Sequence, residues 1–274
     1  MASVYTRSPF TNLIPGQRYD IIFEADQAAA NYWMRALPAL GCSSNQNQNG
    51  IQAIVTYEGQ DPNVLPTSTP WVPADTNCED ETGLVPVVPR NVGTFGQSGE
   101  LDVSILPTAD NIVTWNINSS SFLIDYASPT LLLVEDHDDS FPGTYNVVQL
   151  NGDDTTVSSM SCQSNGPSGY ISLFNQWVNS LLIIPYLTST LLANELIHLH
   201  GHDFALLASG PGNFTPDVLQ SASLVNPTRR DVVTMPASAF GGPTGGFIVI
   251  AFALNNPGNW VFPSHIGRGL MIYS

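Results

Sequence analysis

The residues best equipped for chemistry lie in one stretch, Glu195-Leu196-Ile197-His198-Leu199-His200-Gly201-His202-Asp203-Phe204, which holds three of the five histidines in the chain. His198, His200 and His202 follow one another at spacing i, i+2, i+4. In an extended strand alternate side chains share a face, so the three imidazoles are expected to point the same way. Neutral imidazole is a common ligand of copper and zinc, and it is the side chain best suited to moving protons near neutral pH. The plainer alternative is that one or two of these rings only hydrogen-bond inside a core. Glu195 begins the same stretch. A carboxylate there could tune an imidazole or act as a base, against the plainer reading of a strand end facing solvent.

Something must position these groups, and composition says what kind of scaffold it is. The chain has 274 residues, enough for one large or two small domains. Seven arginines and no lysine stand against 23 acidic residues, a formal net charge of −16. Nucleic acid and anionic membrane both require a basic surface, so neither is expected as a partner. Only 11% of residues are charged, while Gly and Pro number 22 and 21. That is the composition of a turn-rich all-β protein. Alternation of apolar and polar residues, or a run of β-branched, aromatic and apolar ones, predicts strands over 19–25, 31–36, 50–57, 101–105, 111–117, 145–150, 177–184, 231–235 and 246–254, the last the most apolar, with 204–208 extending the histidine strand and 130–134 a buried run. With no long 3.6-residue period, a β-sandwich is expected.

The stretch 61–98 is rich in proline and reads as a surface linker between 1–60 and 99–274. The acidic cluster Glu135-Asp136-His137-Asp138-Asp139 reads as a solvated loop before it reads as a cation site. Three cysteines permit at most one internal disulfide, and Cys42 and Cys78, which bracket a turn-rich segment, are the favoured pair; Cys162 reads as a bystander. The start lacks the apolar core of a signal peptide, and no stretch is apolar enough to span a bilayer. Asn118-Ser119-Ser120 and Asn213-Phe214-Thr215 are sequons that matter only on a secretory route. Arg229, Arg230 and Arg268 could clamp an anionic substrate, with support of a structural salt bridge the simpler reading of Arg230-Asp231.

Several motifs, in order, resemble the second half of fungal laccases, multicopper oxidases built of three cupredoxin domains. Gly16-Gln17-Arg18-Tyr19-Asp20 and Asn31-Tyr32-Trp33 resemble the end of the middle domain. Thr69-Pro70-Trp71 and Cys78-Glu79-Asp80-Glu81 resemble the segment that leads out of it. The stretch from Ile197 to Phe204, Asn226-Pro227-Thr228-Arg229-Arg230-Asp231-Val232 and Asn256-Pro257-Gly258-Asn259-Trp260 resemble the third domain. The resemblance implies a cupredoxin-like Greek-key β-sandwich over 99–274, remnant strands of a second cupredoxin domain over 1–60, a Cys42–Cys78 disulfide and a secretory ancestry.

Where the sequence departs from the family pattern, the departures are specific. The first histidine of the family's histidine strand, a ligand of the blue copper, is replaced by Glu195, and the proline after it by Leu196. Counting from Trp260, Pro263 and Ser264 stand where a histidine and the copper-binding cysteine are expected, and His265 alone of that motif is kept. The two His-x-His motifs of the first laccase domain are missing from this chain. The blue copper site needs a thiolate and imidazoles, so the sequence predicts no complete blue-copper or trinuclear site. It predicts instead either no metal or a single copper, with zinc an alternative, on His198, His200 and His265. It also predicts a small-molecule pocket in which His198, His200, His202 and Glu195 do acid–base work on a phenolic or polyketide-like compound. The competing expectation is a non-catalytic companion of a full-length oxidase. Open strand edges in 1–60 predict packing on the third domain, or a homodimer or partner chain that completes the sheet.

Overall fold

The structure, a computed structural model, describes residues 4–5, 13, 16–19, 23–38, 47, 51–70, 80, 83–93, 95–101, 103–107, 109–110, 112–121, 123–137, 140–150, 159–160, 179–186, 195–236, 246–256, 258–262 and 270–273. Its centre is the strand Gly246–Ala253, in which every residue but the last is buried. A strand covered on both faces must be apolar throughout, and GFIVIAFA is. Ile248, Ile250 and Phe252 face one cluster, with Leu101, Val103, Ile197, Leu199, Phe204, Val233, Met235 and Phe262. Phe247, Val249 and Ala251 face the other, with Ala205, Leu207 and Phe214.

This strand pairs antiparallel with Phe204–Pro211 on one side and Asn179–Tyr186 on the other. The sheet continues through Phe95–Glu100, parallel to Asn179–Tyr186, and through the hairpin Val103–Pro107 with Val113–Ile117. Arg229–Arg230 closes the opposite edge against Phe204 and Ala205. A second layer is made of the pair Glu195–His198 and Val232–Met235, and of Asn259–Phe262, Leu270–Tyr273 and Val147–Gln149. Ile197, Val233, Met235, Phe262 and Val148 carry that layer into the first cluster. The expected all-β sandwich is what forms.

Three local expectations change. Residues 130–134 are not a buried strand but the start of a helix, Thr130–Glu135, with Leu131 69% and Leu132 41% exposed. Pro129 presets the entry to that helix, and leucines, which are not branched at Cβ, lose little rotamer freedom in it. Tyr19 and 23–25 lie outside any strand. The histidine strand also ends earlier than expected: it stops at His198, a turn comes at His200-Gly201, and Phe204–Pro211 belongs to the other sheet.

The N-terminal part forms a two-stranded hairpin, Asn31–Arg35 with Gln52–Thr56. The proline-rich stretch wraps it: Trp33 Nε1 donates to the Pro66 carbonyl at 3.0 Å, and Asn31 Nδ2 to those of Asp61 and Val64. Further along, Leu84 and Pro86 are buried, and their carbonyls accept hydrogen bonds from Thr228 and Asn226. Strand Phe95–Glu100 begins inside the stretch read as linker. No helix among the described residues is long and apolar enough to cross a membrane. Cys42, Cys78 and Cys162 lie outside the described residues.

Candidate functional site

Alternation along the histidine strand does half of what the spacing predicts. Ile197 and Leu199 point into the core, 1% and 0% exposed, so His198 and His200 point away from it. Their ring centroids are 4.6 Å apart. His198 Nδ1 lies 2.7 Å from the carbonyl oxygen of Asp231, which also accepts the Leu199 N–H at 3.0 Å. A carbonyl can only accept, so Nδ1 is a protonated nitrogen, and in the neutral ring the lone pair is on Nε2.

His202 departs from the pattern because of Gly201. That glycine has φ +70°, a left-handed conformation that breaks the strand's parity, and a Cβ there would overlap the Trp260 ring. Asn256 Nδ2 holds the Gly201 carbonyl at 2.8 Å, and the His200 N–H donates to the Val261 carbonyl at 3.1 Å. The turn carries His202 inward, edge-on to Phe252 and Trp260. Its Nδ1 sits 3.2 Å from the His200 carbonyl, while Nε2 is buried without a hydrogen-bond partner among the described residues. Burial lowers its pKa, against the opposing pull of the His200 carbonyl and of Asp203. His202 is therefore a neutral ring bracing the turn.

The three histidines line a cleft of about 450 Å³ whose remaining walls come from 17–19 and 229–232, with Asp203. Three arginines converge on it. Arg18 pairs with Asp231, Arg229 with Asp203, and Arg230 with Asp80 at 3.1 Å. Asp80 is a hub: its carboxylate also accepts the Thr234 N–H at 2.8 Å, the Thr234 hydroxyl at 2.9 Å and the Gln17 amide. The Arg230 guanidinium lies 5.8 Å from the centre of the Tyr19 ring. These contacts strap residues 17–19 into the wall of the histidine cleft. The structural salt bridge expected of Arg230-Asp231 forms with other segments, Arg230 pairing with Asp80 and Asp231 with Arg18.

The sequence-predicted residues separate accordingly. His198 and His200 come together, His202 stands behind them, and Glu195 is placed at the far end of the strand opposite Met235. The Glu195 side chain, His265 and Arg268 lie outside the described residues. Gln17, Arg18, Tyr19 and Asp80 join the site from a distance. No local signal marks Gln17, Arg18 or Asp80, since their partners lie 63 to 213 positions away. A copper ion suits two of the site's groups: the carbonyl bond that orients His198 is the arrangement usual for a ligating imidazole, and His200 is its neighbour. Among the described residues no group of three or more His, Cys, Asp or Glu could hold a metal ion.

Two family models, both described as multicopper oxidase, match residues 11–60 and 142–272. Laccase-1 of Botryotinia fuckeliana is 36% identical over 252 residues, 91% of this chain and 38% of that protein. Laccase-3 of the same fungus is 34% identical over 258 residues, covering 92% of the chain and 51% of the relative. The crystal structure of the laccase from Botrytis aclada matches with a TM-score of 0.68 at 33% identity, covering 92% of this chain and 41% of that one. The chain spans between about two fifths and one half of the length of these relatives, and its sandwich is of the cupredoxin type that they share. It belongs to the multicopper oxidase family, whose fungal laccases it resembles along most of its length.

Proposed function

We propose that this chain is a laccase-derived enzyme that uses the histidine cleft for non-redox chemistry on a small phenolic or polyketide-like molecule: a cyclisation, a dehydration or a cycloaddition. The observation that carries the reading is the 2.7 Å contact between His198 Nδ1 and the Asp231 carbonyl. It holds the imidazole in the tautomer whose Nε2 can take a proton, which is what a general base requires. His200, 4.6 Å away ring to ring, would be the partner that returns the proton, in a dehydration to the departing hydroxyl. A cleft of about 450 Å³ is the size of a small-molecule site. Redox chemistry of the laccase kind needs a thiolate to receive electrons, and Ser264 and Pro263 stand where the family resemblance expects the cysteine and its neighbouring histidine. The test is conversion of phenolic substrates by the wild type and by His198→Gln. Loss of conversion in the variant with the fold intact supports the reading; equal conversion overturns it.

A second reading is favoured by the same contact, because an imidazole fixed by a carbonyl is also a prepared metal ligand. His198 and His200, with His265 as the third ligand, would hold one copper or zinc ion. Such an ion, when bound, supplies a Lewis acid that lowers the pKa of a coordinated water. The chain's residues would then act as ligands instead of as acid and base.

A further inference from the structure

We infer that the histidine cleft takes an aromatic carboxylate, with the anionic group held by Arg18 and Arg229 and the ring against the His198 and His200 imidazoles. This rests on the cleft being a small-molecule site and adds the class of molecule. The chain has seven arginines, no lysine and 23 acidic residues. Three of those seven, Arg18, Arg229 and Arg230, line one cleft, alongside two carboxylates, Asp203 and Asp231. A protein of net charge −16 repels anions over most of its surface, and this cleft, where three of the seven guanidiniums balance Asp203, Asp231 and, beside Arg230, Asp80, is the place that repels them least.

The existing ion pairs do not prevent this. A guanidinium offers five N–H donors, and one carboxylate engages about two of them in a fork. Asp231 and Asp203 therefore leave Arg18 and Arg229 with donors for a second carboxylate. The Arg18–Asp231 pair is also half exposed, at 56% and 28%, so water already weakens it and a ligand can replace it cheaply. Arg230, 5% exposed and anchored on Asp80, stays in place as part of the wall. The walls favour a flat ring: the His198 and His200 imidazoles and the Tyr19 ring, close to the Arg230 guanidinium, all line the cleft.

Calorimetric titration with 4-hydroxybenzoate and with 4-hydroxybenzamide, equal in shape but not in charge, tests the inference. The carboxylate is expected to bind about tenfold tighter than the amide, with the difference shrinking as salt is added. Arg18→Gln and Arg229→Gln should each remove most of that difference, while Arg90→Gln, at an exposed position outside the cleft lining, should leave it. Arg18 is exposed enough for its variant to fold, which thermal unfolding will confirm. Equal binding of the two probes, or a preference that survives both cleft substitutions, overturns the inference. The two readings fail separately: turnover of a neutral phenol without anion preference overturns this one alone, and carboxylate binding without His198-dependent turnover overturns only the acid–base reading.

Discussion

His198 and Asp231 are joined through the backbone, not the side chain: the imidazole Nδ1 is 2.7 Å from the Asp231 carbonyl and 3.9 Å from its nearer carboxylate oxygen. The carbonyl also accepts the Leu199 N–H, so ring and strand are held by one oxygen. The Asp231 carboxylate is thereby left to Arg18. Orientation of the His198 ring and the ion pair with Arg18 converge on a single residue.

If that contact sets the tautomer, nitrogen NMR of the imidazoles will show His198 protonated at Nδ1 and not at Nε2. His198→Gln should keep the thermal midpoint near that of the wild type and lower turnover by about 10²-fold or more, the usual worth of a positioned acid–base group. A wild-type rate in the variant would place the chemistry elsewhere.

Gly201→Ala is expected to cost about 3 kcal/mol in urea unfolding. Roughly 1–2 kcal/mol comes from placing a Cβ in the left-handed region, and the rest from pushing Trp260 aside. A loss well below ~1 kcal/mol would mean that the turn rearranges freely and that His200 is not fixed by it.

Asp80→Asn removes the charge that answers Arg230, a guanidinium 5% exposed, and weakens the bonds to Gln17 and Thr234. Stability should fall by roughly 3 kcal/mol, in the range for one partner of a buried ion pair. Limited proteolysis should cut faster near 16–19, because the strap loses an anchor. Unchanged cleavage there would contradict its role in holding the strap.

The all-β class, the apolar strand at the centre and the pairing of His198 with His200 are legible in the sequence because each follows from local pattern. GFIVIAFA is apolar throughout and rich in β-branched and aromatic residues, which favours a strand buried on both faces. Ile197 and Leu199 announce which side of their strand is core. His202 is legible only in part, since its turning inward depends on one dihedral angle at Gly201 and on Trp260 packing over it. The helix Thr130–Glu135 takes the place of an expected strand because a short run of leucines and valine has no periodicity that separates the two. Asp80 and the strap are illegible for a different reason: contacts spanning 154 and 213 positions leave no mark on the local pattern at either end.

Metal binding at the same histidines has its own expected outcome. On the metal reading, chelator-treated protein titrated with copper would take up about one equivalent, and His198→Ala would lose it. Purified protein with far less than one equivalent of metal, and conversion untouched by chelator, removes that reading.

Acid–base chemistry in the cleft requires no electron transfer to oxygen, and this separates it from the chemistry of a laccase. The decisive measurement is conversion of phenolic carboxylates by the wild-type protein under argon, with chelator present and His198→Gln alongside. Undiminished, His198-dependent conversion to a product at the same oxidation level as the substrate is expected. Conversion that stops without oxygen and returns with oxygen and copper would contradict it.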